Sequence, residues 1–559
     1  MAYMVVTIAS VPESVVHEIG NIVVVICFLF VLMMQAGLAL FECGISRSRN
    51  IYTILARTYT IFFEVCIVYW ALGHAFAYST GMDFLGYHSY WVGLDVDKGN
   101  YSTWLFGLAV CTTTTNIIAT SLVERATFKS FFIFTFFSVA FCQPVVIHWC
   151  WHPEGWLLNH LKGVVYKDFA GSGVIHVYAG IIGILGCAIL QPRTSRFKGD
   201  QFSRSPKTFH GHSKPFLFLG GILILIGFLS LRLMAVFQYQ GSKTVDKGLS
   251  IIINTLISCS FSSLTACLVA ALVDYCGIAC CAMKGRHDWW QLLTGINSAI
   301  AGVASSAGGC NDYYSWTACV NGLVSGFVYI TWSLLIRSCQ ADDPLDVAAV
   351  HLGCGLWGLI CAPVFGTSGF IYNPGSYTLE TIAWNVAGGC SIVVWAGVPF
   401  ALLFGFMQAL GVFRVSFDRE TKGLDTYHKE IAYNIFTSPL TDTDNDLNSL
   451  GSFKRRESVR TSGRRRPSIQ WNVPFEKSEP TSFRRSYRQP SWQQSTRSFR
   501  KSFPSDWQTN PFYEKNTLVS GPPPYHELRP YWWRDSDTGR RYHGQQPVVW
   551  GSCPDLRHA

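Results

Sequence analysis

Apolar stretches of about 20 residues recur between residues 19 and 412, and no other feature constrains the fold as strongly. A helix of that length spans a hydrocarbon core of about 30 Å. Because lipid offers no hydrogen-bond partners to the backbone, such stretches must form helices. Only 14% of the 559 residues are charged, against about 25% in soluble proteins. The sequence therefore predicts an all-α, multi-pass membrane protein.

The hydropathy pattern predicts eleven transmembrane helices between residues 19 and 412. An N-terminal segment, 1–18, precedes them, and a tail, 413–559, follows them. The predicted helices lie near residues 19–41, 58–79, 102–122, 129–151, 169–190, 215–238, 249–273, 289–306, 314–336, 346–365 and 380–412.

Loop charges predict the orientation in the membrane. Residues 1–18 contain Glu13 and Glu18 but no Lys or Arg, which argues against a cleaved signal peptide and for an extracellular N-terminus. With that orientation the cytoplasmic loops carry fourteen Lys and Arg residues and the outer loops five, as the positive-inside rule expects. An odd number of spans leaves the C-terminus inside. The sequon at Asn100 then lies in an outer loop and is a glycosylation candidate.

The tail is basic and polar, with 24 Lys and Arg against 16 Asp and Glu. It is rich in Ser, Arg, Pro and Gln, so we expect it to be cytoplasmic and largely disordered. Its positive charge, tethered to a membrane, predicts contact with anionic lipid rather than with nucleic acid.

Two kinds of recognition motif lie in the tail. Pro522, Pro523 and Tyr525 fit the Pro-Pro-x-Tyr ligand of WW domains, although the same residues would also make a stiff linker. Ser458 and Ser468 each follow a pair of arginines with one residue between, as in basophilic kinase sites. The predicted tail partners are accordingly a WW-domain protein and kinases.

Two histidines lie in the middle of apolar spans, where ionisable groups are functional candidates because each costs free energy to insert. His176 is in the fifth predicted helix and His351 in the tenth; Asp168 and Asp346 stand near the starts of those helices. A five-helix unit repeated with inverted topology would bring the two helices together near the membrane midplane. The alternative is two core histidines, each satisfied by a backbone carbonyl.

A facing histidine pair suits a particular kind of solute. Neutral imidazole has one donor and one acceptor nitrogen, and its unperturbed pKa of about 6.5 allows it to pass a proton near neutral pH. The pair suits a small solute that donates and accepts hydrogen bonds and exchanges a proton. Alkali ions would require rings of oxygen ligands instead.

A run of four threonines, 112–115, in the third predicted helix has two interpretations. The hydroxyls could line a polar pore. Alternatively, they bond back to carbonyl groups four residues earlier in the helix.

Five motifs in order resemble those of ammonium transporters, the Amt/MEP branch of the Amt/Rh superfamily. The resemblance covers roughly residues 15–435, and its one lapse in the fifth-helix signature is Gln191. The motifs are MQAGLALFECGISRSRN (34–50), VERATF (123–128), DFAGSGVIHVYAGIIGILGCAILQPR (168–193), DVAAVHLGCGLWG (346–358) and RVSFDRETKGLD (414–425).

The resemblance implies a homotrimer in the plasma membrane with one pore through each subunit. It implies that ammonium is recruited as a cation, loses its proton, and crosses as ammonia past the twin histidines, His176 and His351. Trp151, Phe106 and Asp168 correspond to the recruitment site. The implied protein is a transporter rather than an enzyme, and neither a cofactor nor a metal is expected.

The chain departs from the family pattern at the gate below the recruitment site. Val110 and Leu231 stand where two phenylalanines are usual, and Ala235 stands where a serine is usual. Arg232 lies in the same stretch and should repel a cation unless an acid neutralises it. The missing gate phenylalanines favour one alternative, an ammonium-responsive sensor or scaffold with weak conduction. A further alternative is an Rh-type gas channel, against which the Amt-like fifth-helix signature argues.

Overall fold

A computed structural model of the chain comprises two compact units, residues 1–463 and 464–559. In the second unit, strands Trp532–Arg534 and Arg541–His543 pair antiparallel, with Trp533 opposite Tyr542. The residues that the structure describes are 13–94, 101–159, 163–197, 209, 211–239, 245–275, 289–428, 532–534 and 541–543.

Helices occupy all eleven predicted positions in the first unit, and their bounds lie within seven residues of the expected ones. Four of them contain a turn of π-helix. The helices are α1, Glu13–Ile45; α2, Ile51–Val68 with a π turn at Tyr69–Gly73 and a last segment at His74–Tyr78; α3, Tyr101–Ser121; α4, Phe128–Phe137 with a π turn at Ser138–Cys142 and a last segment at Gln143–Trp151; α5, a π turn at Ser172–Val177 followed by Tyr178–Leu190; α6, Lys214–Tyr239; α7, Val245–Tyr275; α8, Trp289–Ser306; α9, Ser315–Ser338; α10, a π turn at Ala348–Gly353 followed by Cys354–Phe365; and α11, Ser376–Ala409.

Nine helices in the described part of the chain are long and apolar enough to cross a membrane. The helices α3 and α8 are the exceptions. The four threonines lower the hydropathy of α3, and α8 has an apolar stretch of only 15 residues, Leu292–Ser306. Both helices are largely buried among other helices, so their side chains need not be as apolar as those that face lipid.

The first and sixth helices pack along each other, and α7 packs against both α8 and α9. Between these layers, the π turns of α5 and α10 meet, and α11 covers the outside of α5. One continuous apolar core joins these helices. The histidine-bearing helices therefore lie at the centre of the domain.

The threonine run is confirmed as a set of bonds within its own helix. Each hydroxyl donates to the carbonyl four residues earlier, at distances of 2.7–2.8 Å. Thr114 also accepts from Gln143 of α4 at 2.6 Å, and Thr113 accepts from Gln35 of α1 at 3.3 Å. All four side chains are buried, and the run thus satisfies polar groups where α3 crosses its neighbours.

Two short helices follow the last long one, at Phe417–Lys422 and Asp425–His428. The Asp425 carboxylate accepts the backbone N–H groups of Tyr52 and Thr53, both at 2.9 Å. These two N–H groups lie in the first turn of α2 and have no partner within the helix. Residues 413–428 thereby pack onto the start of α2.

Candidate functional site

The first turns of α5 and α10 share a local design. Each is a π turn of six residues that contains the histidine. The residue five before each histidine, Gly171 or Asp346, has a positive φ of 95° or 56°. Asp346 adopts this uncommon conformation without the freedom of glycine. Isolated π turns are rare and occur often at functional sites.

The two predicted histidines meet. The Nδ1 atoms of His176 and His351 lie 2.8 Å apart. The rings lie edge to edge in nearly the same orientation, with centroids 5.0 Å apart and planes inclined by 6°. The exposed fractions are 1% and 7%, so water has little access to the bridge.

Glycines make this approach sterically feasible. Gly180 and Gly355 each follow a histidine by four residues. A Cβ atom on Gly180 would clash with the backbone N of Leu352, and one on Gly355 would lie 2.8 Å from the carbonyl oxygen of Ser172. Side chains there would separate the helices and break the contact between the rings.

The bridge determines what the pair presents at its two ends. With both rings neutral, one Nδ1–H donates and the other Nδ1 accepts. The donor ring then has a bare Nε2, and the acceptor ring carries its proton on Nε2. The pair therefore offers one acceptor and one donor at its ends. When protons move along the pair, the acceptor end becomes the donor end and the donor end becomes the acceptor end.

Three further predicted residues lie together on the side where α5 begins. The Asp168 carboxylate accepts four backbone N–H groups, from residues 171 to 174, at 2.6–3.1 Å. Trp151 Nε1 donates to the carbonyl oxygen of Asp168 at 2.7 Å, and the Phe106 ring centroid lies 5.3 Å from that of Trp151. Since both oxygens of Asp168 bind backbone, its role toward a solute is to position groups and to supply negative potential.

An open cavity of about 390 Å³ adjoins Trp151 and Asp168, and we call it the vestibule. Sequence reasoning missed two of its charged residues, Lys167 and Asp312. Lys167 Nζ lies 3.7 Å from Asp312 Oδ2 and donates to Ser368 Oγ at 3.0 Å. The sequence does place Lys167 directly before Asp168, at the start of an apolar helix, and this could have indicated a charged residue of the vestibule.

The counterpart of Asp168 in the second half is Asp343 rather than Asp346. Asp168 precedes His176 by eight residues, and Asp343 precedes His351 by eight. Asp343 Oδ2 accepts the N–H of Ala348 at 2.8 Å, and Asp346 instead binds Arg337 at 2.9 Å. Burial, followed by the charge of Asp346, raises the pKa of Asp343 to about 7.

A second, smaller cavity of about 30 Å³ lies on the other side of the histidine pair. Phe228 and His351 are among the residues that line it, and the Phe228 ring centroid lies 5.3 Å from that of His176. Its size matches a single water or ammonia molecule. Sequence reasoning missed Phe228, which stands one helical turn before Arg232.

The predicted gate positions lie in the core. Val110, Leu231 and Ala235 are buried with exposed fractions of 2% or less. Arg232 is equally buried, and its guanidinium donates to Thr255, Ser306 and the carbonyl oxygen of Val303. The predicted glycosylation and tail sites lie outside the described residues: Asn100, Ser458, Ser468, Pro522, Pro523 and Tyr525.

A buried charge cluster forms at the opposite end of the domain from the vestibule, around Glu124. Its carboxylate accepts from Asn50 at 2.7 Å, from the backbone N–H of Arg47 at 2.8 Å and from Arg193 at 2.8 Å. Burial alone would raise the pKa of Glu124, but the charges of Arg47 and Arg193 outweigh it and lower that pKa to about 2. Arg193 also bonds to Asp342 at 2.7 Å. The cluster ties four loops together.

Comparison with known proteins agrees with this architecture. The model of the Ammonium Transporter Family matches residues 22–433. Ammonium transporter 3 of Dictyostelium discoideum is 31% identical over 410 residues, covering 71% of this chain and 89% of that protein. The residues matched by the family model include both histidine-bearing helices.

Solved structures share the fold. A structure described as a Sensor Amt Protein aligns with a TM-score of 0.64 at 21% identity, covering 75% of this chain and all of that one. Candida albicans Mep2 aligns with a TM-score of 0.62 at 18% identity, covering 75% of this chain and 93% of that one. The fold and the matches define a multi-pass membrane transporter. The chain belongs to the ammonium transporter family.

Proposed function

We propose that this protein carries ammonium, ammonia and methylammonium across the plasma membrane through a twin-histidine pore. The observation that carries the proposal is the 2.8 Å contact between Nδ1 of His176 and Nδ1 of His351. Ammonia donates and accepts hydrogen bonds, so it suits a pair with one donor and one acceptor end. A bare cation is strongly disfavoured in such a buried, apolar passage.

In this proposal Trp151, Phe106 and Asp168 recruit ammonium from the vestibule. The two aromatic faces attract a cation, and the negative potential of Asp168 favours the cation further. Ammonium gives up its proton between this site and His176. Ammonia then passes the imidazoles and enters the small cavity beside Phe228.

The same proposal includes eleven spans, an extracellular N-terminus and a homotrimer. Arg47, Arg193 and the basic tail would then face the cytoplasm, where positive charge is enriched. The tail would contact anionic lipid and, through its Pro-Pro-x-Tyr motif and its serines, a WW-domain protein and kinases. A mobility shift on deglycosylation that disappears in the Asn100→Gln variant would support this orientation.

The decisive experiment is uptake of labelled methylammonium by cells that lack their own ammonium transporters. The full chain should support saturable uptake, and His176→Ala should reduce it by about tenfold or more. Surface labelling must show equal amounts of both proteins at the plasma membrane. Surface protein without uptake would overturn the transport proposal.

The second candidate function is an ammonium-responsive sensor or scaffold that conducts weakly. The observation that favours it is the buried Arg232 beside the proposed passage, together with aliphatic residues at the gate positions Val110 and Leu231. Ligand-dependent stabilisation of the purified protein by methylammonium, without uptake, would support this candidate over transport.

A further inference from the structure

Arg232 lies at a defined depth on α6, between the vestibule and the histidines. One helical turn before it, Phe228 contacts His176. One turn after it, Val236 belongs to a small cluster that packs against Phe169, the neighbour of Asp168. Four residues of helix rise about 6 Å, so Arg232 lies about midway between the two levels.

Contacts with α8 give the same depth. Arg232 donates to the Val303 carbonyl and, at 3.1 Å, to Ser306 Oγ. Between those residues, the carbonyl of Ala304 accepts from Ser172 Oγ at 2.7 Å. Ser172 lies one turn before His176, so a solute that moves from Asp168 to His176 crosses the level of the guanidinium.

The charge of Arg232 is not neutralised by an acid. Its three partners are neutral oxygens, and no carboxylate of the described residues lies within salt-bridge distance of it. Other buried arginines of the domain, such as Arg57 and Arg193, pair with carboxylates. Arg232 therefore places a positive charge at this level of α6 that no carboxylate of the described residues neutralises.

We infer that Arg232 determines the charge selectivity of the passage: it excludes ammonium and free protons, so that only neutral ammonia reaches the histidines and transport carries no current. This inference rests on the proposed transport function and deepens it. Arg232 repels any cation that approaches His176, and the low dielectric of the buried site strengthens the repulsion. Ammonia carries no net charge and passes. The guanidinium thus acts as a fixed electrostatic filter.

Substitution of Arg232 by methionine tests the inference with little risk to folding. Thr255 and Ser306 already donate to carbonyls of their own helices, both at 2.7 Å, so Arg232→Met leaves neither hydroxyl without a partner. Arg232→Lys keeps the charge. Leu233→Met is a matched control for a substitution on the same helix.

The experiment uses the full chain in proteoliposomes exposed to a pulse of ammonium chloride. Alkalinisation of the lumen reports ammonia entry. Current on a solid-supported membrane reports charge movement. We expect the unchanged protein, the Leu233→Met control and Arg232→Lys to alkalinise the lumen without current. In Arg232→Met the charge moved per ammonia should exceed the background recorded with the unchanged protein by about tenfold or more.

The outcomes separate this inference from the transport proposal. Equal current per ammonia in the unchanged protein and in Arg232→Met would overturn the filter and leave transport standing. A second outcome is that Arg232→Met shows flux and current while the unchanged protein shows neither. That result would overturn transport by the unchanged protein and support the exclusion of cations by Arg232. If no protein in the series shows flux, both fail.

Discussion

Asp168 and Asp343 stand in the same relationship to the two facing histidines, each eight residues before its own. Their carboxylates nevertheless have different environments. Asp168 accepts four backbone N–H groups. Asp343 accepts from Ala348 through Oδ2, and its Oδ1 has no partner among the described residues. The two histidine-bearing helices thus begin at one saturated carboxylate and one unsaturated carboxylate.

This difference predicts unequal effects of amide substitution. Asp168→Asn should lower the free energy of unfolding by about 2–4 kcal/mol. The single amide oxygen of asparagine cannot accept all four N–H groups, so some of them stay buried without a hydrogen bond. Thermal unfolding of the detergent-solubilised protein measures the loss. Asp343→Asn is the matched control and should cost less than about 1 kcal/mol. Equal losses would contradict the account in which the Asp168 carboxylate satisfies four backbone N–H groups at the start of α5.

Asp343 predicts a dependence of stability on pH. Its pKa is raised from 3.8 to about 7, so between these values the folded state holds a proton that the unfolded state has released. Stability therefore falls as pH rises through this window. Asp343→Asn removes the effect, so its stability relative to the unchanged protein should be higher at pH 8 than at pH 5. A pH-independent difference between the two proteins would refute this account.

Both histidines should be required for flux. His176→Ala or His351→Ala breaks the Nδ1–Nδ1 bridge and should reduce methylammonium uptake by about tenfold or more, the scale expected when a positioned proton-transfer group is lost. The exposed His88 supplies the control, and His88→Ala should retain uptake. Unchanged uptake in either pore variant, with normal surface expression, would argue against the pair.

The cluster around Glu124 should stabilise the domain in a pH-dependent way. Removing one partner of a buried ion pair costs about 3–5 kcal/mol, and Glu124→Gln should show a loss of that order at pH 7. Because the pKa of Glu124 is lowered from 4.5 to about 2, its stabilisation is complete above pH 4.5. It disappears as pH falls toward 2, so the difference between the two proteins should shrink at pH 3. Glu380→Gln, at an exposed position, is the control and should leave the free energy of unfolding unchanged at pH 7 and at pH 3.

Residues 413–428 should contribute to stability, because Asp425 caps the start of α2 and Glu420 accepts the backbone N–H of Thr194. A chain that ends at residue 428 should keep the thermal midpoint of the full protein. One that ends at residue 412 should lose several degrees, as expected for about 1–2 kcal/mol. Identical midpoints for the two truncations would show that the packing of this segment is energetically unimportant.

The local pattern of the sequence determined the helices and the candidate site residues. Apolar runs of membrane length predict helices directly, and an imidazole inside such a run stands out because its insertion costs free energy. The twofold recurrence of that signal, at His176 and His351, predicted an inverted repeat. Hydropathy alone is less informative for helices that are buried among others. For this reason α3 and α8 are not long and apolar enough to be identified as spans by length and composition alone, whereas the other nine described helices are.

Only the tertiary structure decided which polar groups meet. The sequence offered Asp346 as the partner of Asp168 in the repeat, but the backbone N–H groups at the start of α10 selected Asp343. Nor did it reveal that Lys167 pairs with Asp312, or that the charge of Arg232 is held by neutral oxygens alone. These contacts join residues far apart in the chain. Their energies depend on distance, burial and hydrogen-bond geometry, which exist only once the helices have packed.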